Sequence, residues 1–537
     1  MAATTTTTTH TLVELWSSAV AQRGGAPFLT FEGPSGQVTD WTYDEFDRIV
    51  SRTAAALVER GVTSGSAVHL ALTNSPTFIA VWIATLRLGG WIVPSDPMGR
   101  TPEFAEHIDR TSPAVGVCST TRADTYLSAS GDRPVIQIDE ADTSFDWLPA
   151  DGVREWPEVT TADRAAVMFT SGTTGRPKGV EITQANYAFA GTTMAAASGL
   201  TADDRQIVVL PLFHANAQYY SFASAIAAGA SVALIHSFSA SGFIPQAARH
   251  HATHASLFAG PIRMILARGG PLDTSTDGGG LHLRHCWFAQ NLGDDQFDTF
   301  ADWVGCRPRQ LYGMTETIPA VLTDTTDDPR PDSMGTVTDG CVLEIHDEHG
   351  VRCPAGTVGE IVVGGRPGLE LFAGYLDDPA TTAASFRGDW FRTGDRAWAD
   401  DHGRHHFDGR RADVLKVSGE NVSVVEVEAV VGAHTDVHEV VVVGAPDPIR
   451  DEVPVAFVVP TDTTDRVDLP DRLAAWAAER LGKAKQPRHY EIVDDLPRTS
   501  VGKIRKFLLA DAAAAVAASS ATPSSSPSPD PNPEQKS

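Results

Sequence analysis

Strand-like and helix-like stretches alternate through the first part of the chain, and this restricts the fold more than any single motif does. Apolar residues at helical spacing (Leu12, Leu15, Trp16, Ala19, Val20) predict a helix over 11–23. Phe28–Phe31 and Val38–Thr42, separated by Gly33-Pro34-Ser35-Gly36, read as a hairpin. An amphipathic helix over 44–60, a strand over 68–72, a helix over 75–88, a strand over 91–95, a helix opening on Thr101 as its cap, and a strand over 114–118 follow in turn. Such an order predicts an α/β protein with helix-covered, mostly parallel sheets. A chain of 537 residues exceeds one ordinary core, so two or more domains are expected.

The strand-like run Arg164–Phe169 leads into Thr170-Ser171-Gly172-Thr173-Thr174-Gly175-Arg176-Pro177-Lys178. Glycines allow a backbone to turn its N–H groups toward a bound anion, and consecutive donors form a nest for phosphate. The hydroxyls add donors, and Lys178 adds a positive charge. The spacing is not that of the Walker A loop. A solvated Gly/Thr turn is the plainer alternative. A second stretch, Gln310-Leu311-Tyr312-Gly313-Met314-Thr315-Glu316-Thr317, carries an aromatic that can stack on a base, a hydroxyl that can donate to phosphate, and a carboxylate suited to a hard cation. A buried strand end with a helix cap is its plainer alternative.

Composition removes several classes. The formal net charge of −26 argues against a nucleic-acid surface. No apolar run reaches the length that spans a bilayer, and Met1–His10 has neither the basic start nor the apolar core of a secretory signal. Five scattered cysteines, with no Cys-x-x-Cys, predict reduced thiols in a cytoplasmic protein. His250, His251 and His254 are expected on the surface of a helix, and His402, His405 and His406 beside an exposed turn, because no completing ligand set lies near either group.

With both motifs in place, the chain resembles the adenylate-forming enzymes: acyl-CoA synthetases, luciferases and peptide-synthetase adenylation domains. Three more stretches support the resemblance: Asp389–Asp395, Phe407–Val422, and Leu496–Lys506. The string Arg410-Arg411-Ala412-Asp413, Gly419–Ser423, and Ile449–Glu452 look closest to the crotonobetaine/carnitine–CoA ligase branch.

The resemblance implies a large N-terminal adenylation domain over 11–409 and a small mobile C-terminal lid over 410–518; the ends, 1–10 and the Ser/Pro-rich 519–537, are expected to be disordered. It implies ATP, Mg²⁺ and CoA as reactants and cofactors, and a carboxylic acid as substrate. Thr170, Ser171, Gly172, Thr173, Thr174, Gly175, Asn291, Tyr312, Gly313, Asp395 and Arg410 would hold the nucleotide, with Glu316 as metal ligand. Lys503, Thr315, Glu316 and Lys178 would carry catalysis; His214, Asn216, Gln218, Gly313 and Met314 would line the acid pocket. Lys416, Gly419, Glu420 and Asn421 would meet CoA. The wider pocket wall would run over 214–218, 261–264, 289–292 and 313–319. Two departures stand out: alanine at 412, where many relatives carry Asp or Lys at the pivot, and Phe288–Gly293 in place of a Gly-Ala-Pro type stretch. The second acceptor stays open between CoA and a carrier-protein thiol, an amine, or use of a small oxyacid such as nitrite as the substrate. The identity of the acid and the oligomeric state, a homodimer included, stay open too.

Overall fold

The computed structural model describes residues 10–170, 177–272, 280–410, 414–417, 420–447, 450–462, 464–498 and 504–519. The chain forms two compact units. One holds the described residues up to Thr393 with Ala397–Phe407; the other holds Gly394–Arg396 and the described residues from Asp408.

The larger unit is built on three sheets. A seven-stranded sheet runs Gly374–Tyr375, Lys178–Thr183, Arg164–Thr170, Trp91–Pro94, Ala67–Ala71, Val115–Ser119, Val135–Ile138. Its strands from Arg164–Thr170 onward are mutually parallel, and the two at the other edge pair antiparallel. A nine-stranded sheet runs from Thr336–Val337 through Leu322–Thr323, Arg309–Tyr312, His285–Ala289, His254–Phe258, Arg205–Val208, Ser231–Ile235 and Pro27–Glu32 to Val38–Thr42. The five-stranded third sheet begins at Val342–His346 and includes Trp390–Ala399, through which the chain passes between the units. The mixed α/β architecture agrees with the expectation from the alternating pattern.

Local chemistry sets the helix starts. Thr11 accepts from the Glu14 N–H while Glu14 accepts from the Thr11 N–H, closing a capping box before Leu12–Arg23. Thr42 and Glu45 do the same before Tyr43–Val58. Ser75 caps Pro76–Arg87, whose proline sits where its missing N–H is harmless. Every residue from Pro76 to Leu86 is buried, as a helix apolar on all sides must be. One cap differs from expectation: Thr101 is the first helical residue, and Arg100 precedes it with its N–H donated to Glu103.

The smaller unit has a five-stranded sheet: Glu420–Ser423, Val414–Val417, Asp451–Pro460, Val437–Asp447, and His489–Ile492 parallel to Asp451–Pro460. Val424–Gly432 and Leu469–Arg480 bury Val427, Val431, Leu473 and Ala477 against it. A 3₁₀ turn, Lys506–Leu509, leads into the α-helix Ala510–Ser519.

Both histidine groups differ from the expected exposed surfaces. His250 ends the helix Phe243–Arg249, is buried, and places Nε2 2.6 Å from a Glu32 carboxylate oxygen. His251 takes φ +49°, which turns the chain into the strand His254–Phe258, where His254 is buried as well. A carboxylate 218 residues away thus overrides the helix that local spacing suggested. His402 lies in an exposed turn, but His405 is buried and its N–H donates to the Gly335 carbonyl. All five cysteines are free thiols. Among the described residues no helix is long and apolar enough to cross a membrane.

Candidate functional site

Thr170 ends one strand of an antiparallel pair and Lys178 begins the next, directly opposite it, so the pair forms the base of the predicted phosphate loop. Ser171, Gly172, Thr173, Thr174 and Gly175 lie outside the described residues. The strand leading in is held from outside. His107 stacks on Phe169 with ring centroids 4.0 Å apart and planes 4° from parallel. The Arg110 guanidinium lies 4.8 Å over the same ring and donates 2.6 Å to the Pro177 carbonyl, so one arginine touches both flanks of the loop.

Behind His107 runs a buried polar chain. Ser95 Oγ lies 2.7 Å from His107 Nδ1 and 2.9 Å from His69 Nε2, and His69 Nδ1 lies 2.7 Å from Tyr126 Oη. Burial drives the His107 pKa down to about 4, with Arg110 adding to the shift; burial and His107 drive His69 down to about 3. Both rings are therefore neutral at pH 7, and the chain acts as fixed dipoles rather than charges.

The second motif folds as expected from its local chemistry. Arg309–Tyr312 is a strand, and Thr315–Thr317 is a single 3₁₀ turn whose Thr317 hydroxyl accepts from the Met314 N–H at 3.0 Å. Tyr312 and Thr315 are half-buried; Glu316 is 5% exposed. The Phe372 N–H donates 2.9 Å to the Glu316 carbonyl, and the Tyr375 hydroxyl donates 3.1 Å to its Oε1. The same Tyr375 ring lies 4.7 Å from Lys178 Nζ. Thus Lys178 and Glu316, 138 positions apart in sequence, meet on one tyrosine. Tyr375 was missed by sequence reasoning, as were Arg110 and His107. Tyr375 is placed by strand pairing, and His107 and Arg110 by the packing of the helix Thr101–Thr111 against the loop's strands, neither of which a local pattern carries.

The expected acid wall has an unforeseen backbone. Asn216–Ala223 is a fully buried π-helix, a geometry with bonds from i to i+5 that occurs mostly as short inserts at functional sites. Tyr220 points its hydroxyl at the spot where a Cβ on Gly313 would stand, 2.8 Å away. The wall and the nucleotide motif therefore touch at a position that only glycine fits. Asn216, one π-turn earlier on that face, is 5% exposed, and among the described residues neither its amide nitrogen nor its oxygen has a hydrogen-bond partner. Gln218 differs: its oxygen accepts from Tyr187 and its nitrogen donates 2.6 Å to the Leu212 carbonyl, so both ends hold the wall itself. His214 is half-buried with its ring 4.3 Å from Phe213. Asn291 is exposed; Gln290 before it holds φ +76°, fixed through its carbonyl by the Gln310 amide at 2.8 Å.

The remaining predicted residues belong to the smaller unit. Arg410 Nε donates 2.8 Å to the Asp395 carboxylate, which is 3% exposed. Lys416 and Asn421 stand opposite each other in a hairpin, as do Val417 and Glu420. Gly419, Ala412 and Lys503 lie outside the described residues; Arg498 and Ile504, on either side of the Lys503 segment, pair as an antiparallel bridge.

Residues 16–376 match the model of the AMP-binding enzyme, and residues 426–503 match the AMP-binding enzyme C-terminal domain. The chain belongs to the AMP-binding enzyme family. Within it, the chain is 33% identical to the crotonobetaine/carnitine–CoA ligase of Escherichia fergusonii over 510 residues, 92% of this chain and 97% of that protein. ATP-bound MatB from Rhodopseudomonas palustris superposes with a TM-score of 0.84 at 25% identity, covering 94% of this chain and 99% of the other. The anthranilate–CoA ligase AuaEII, in complex with anthranoyl-AMP, shares the fold with a TM-score of 0.85 at 24% identity, covering 96% of this chain and all of the other. The family and the enzyme class expected from the motifs both stand: two of these relatives are CoA ligases by name, and the third binds ATP.

Proposed function

We propose that this enzyme activates a small carboxylic acid bearing a polar group as its acyl adenylate, releasing pyrophosphate, and then passes the acyl group to the thiol of CoA. The observation that carries the reading is the meeting of Lys178 and Glu316 on Tyr375 at the base of the phosphate loop. An acid oxygen attacks the α-phosphorus, and the bond to the β-phosphate breaks with its electrons leaving on pyrophosphate. In the second half the thiol sulfur attacks the acyl carbon, AMP departs, and the thiol proton is lost.

The first half joins two anions, so the protein must align them and offset their charge. Lys178 and the loop donors take the pyrophosphate side, Thr315 donates to the phosphate, and Tyr312 stacks on the base. Lys503 reaches the acid and the α-phosphate. Asp395 accepts from the ribose hydroxyls, with Arg410 beside it; Gly419, Glu420, Asn421 and Lys416 serve CoA. Among the described residues no group of three His, Cys, Asp or Glu forms a metal cage. The single buried carboxylate of Glu316 suits Mg²⁺, which takes its other ligands from phosphate oxygens and water. Bound there, Mg²⁺ would supply charge neutralisation on the phosphates.

The polar character of the acid follows from Asn216. A buried amide with no partner costs about 1–3 kcal/mol per unmet group, and a substrate group that both donates and accepts would recover it. His214 and Met314 complete the wall, with Gln218 shaping it from behind. The test is pyrophosphate release over a panel of acids in matched polar and apolar pairs, with and without CoA. Acid-dependent release with acyl-CoA formation supports the reading. Full turnover without CoA would overturn the acceptor, and no release with any acid would overturn the activity.

A further inference from the structure

Two segments distant in sequence converge on Tyr375, and its own near neighbours lock it in place. Its short strand, Gly374–Tyr375, pairs with Lys178–Thr183 so that Tyr375 faces Val180 and Gly374 faces Glu181. The Leu376 N–H donates 2.8 Å to the Gly179 carbonyl, and the Ala373 N–H 2.9 Å to that of Glu181. On the other side the Phe372 N–H fixes the backbone of Glu316. The tyrosine N–H is itself tied to the Thr382 hydroxyl at 2.9 Å, and Phe372 packs on its ring at 4.8 Å. The side chain is 7% exposed and cannot swing away.

We propose that Tyr375 is a positioning residue for the phosphate and metal groups: its hydroxyl orients the Glu316 carboxylate while its ring seats the Lys178 ammonium. The inference rests on the nucleotide reading of this site. The chemistry explains why a tyrosine serves here. A phenol is a neutral O–H donor at pH 7, and this one points at the Glu316 carboxylate. A neutral donor fixes one carboxylate oxygen without cancelling the charge that a cation needs. A lysine or arginine in its place would pair with Glu316 and compete with the metal. The π-face meanwhile attracts Lys178 without supplying a counter-charge, which leaves the ammonium to bind phosphate.

Two substitutions separate these roles. Tyr375→Phe keeps the ring and removes the O–H; Tyr375→Leu removes both. Binding of ATP is measured by calorimetry with Mg²⁺ and again with the metal chelated, and urea unfolding reports on folding. The expected result for Tyr375→Phe is about tenfold weaker binding of Mg²⁺·ATP, the scale of losing one hydrogen bond to a charged group. Metal-free ATP binding should stay within about twofold. Tyr375→Leu should weaken metal-free ATP as well, by roughly fivefold, because a cation–π contact of ordinary strength is lost. Native Mg²⁺·ATP affinity in Tyr375→Phe would overturn the inference, as would equal weakening with and without metal, which marks a structural role alone. If the unaltered protein binds no ATP in either condition, the nucleotide reading itself fails.

Discussion

Replacing Gly313 by alanine tests whether the acid wall and the nucleotide motif are as closely joined as their geometry implies. A Cβ there would stand 2.8 Å from Tyr220 Oη, 2.9 Å from Ala320 Cα and 3.2 Å from the Pro319 carbonyl oxygen. Ordinary carbon contacts begin near about 3.5 Å, so each neighbour must retreat by roughly 0.3–0.7 Å. The tyrosine can shift on its own side chain, but the other two atoms are backbone. Movement therefore falls on the loop that carries Thr315 and Glu316. Overpacking of this kind costs about 1–3 kcal/mol. A displacement approaching 1 Å in groups that align reactants costs on the order of 10² in rate. Urea unfolding and acid-dependent pyrophosphate release measure the two separately. Gly313→Ala should lower both, and adding Tyr220→Phe, which deletes the oxygen at the shortest contact, should restore part of each. An alanine variant with native stability and native kcat/KM would refute the coupling, as would a double variant no better than the single.

Lys503→Ala should lower the adenylation rate by roughly 10²–10³ with ATP affinity little changed, read from pyrophosphate release at saturating ATP. Asn216→Leu should abolish the preference for the polar member of each matched acid pair while leaving the KM for ATP within about twofold; specificity constants across the panel decide this. The pH dependence of folding should expose Asp204. Burial alone would raise its pKa, but bonds from Arg284 and Thr201 more than reverse that, so the folded value lies below the ordinary carboxylate value. Its stabilisation is then complete above about pH 4 and is lost as pH falls toward the lower folded value. Asp204→Asn should cost about 1–3 kcal/mol at pH 7 and flatten the acid limb of the stability curve, measured by urea unfolding from pH 3 to 7.

How much was legible depended on how far apart the deciding residues lie. Alternating helices and strands, the capping boxes at Thr11 and Thr42, and the strand–turn at Gln310–Thr317 all follow from neighbours within a few positions. The acidic partner of His250 is 218 residues away, and no periodicity could indicate it. Tyr375 is equally hidden, because its meaning lies in a ladder joining residues 180 and 375. The π-helix escaped for another reason: Asn216–Ala223 is buried on every side, so it shows no polar face from which a period could be counted. Gln218 looked like a pocket residue by position, yet its amide is taken by Tyr187 and Leu212.

The π-helix also makes the pocket adjustable by length rather than by chemistry. Removing one residue between Asn216 and Tyr220 would let the segment tighten into an ordinary α-helix, whose residues advance by about 100° each, and would change their spacing from four positions to three, rotating the two side chains against each other while keeping them on one face. The surrounding apolar anchors, Ala217, Tyr219 and Phe222, would need only to re-register by one position. Because Tyr220 abuts Gly313, a single codon lost or gained in this turn is expected to be felt at the nucleotide motif as well as at the acid wall.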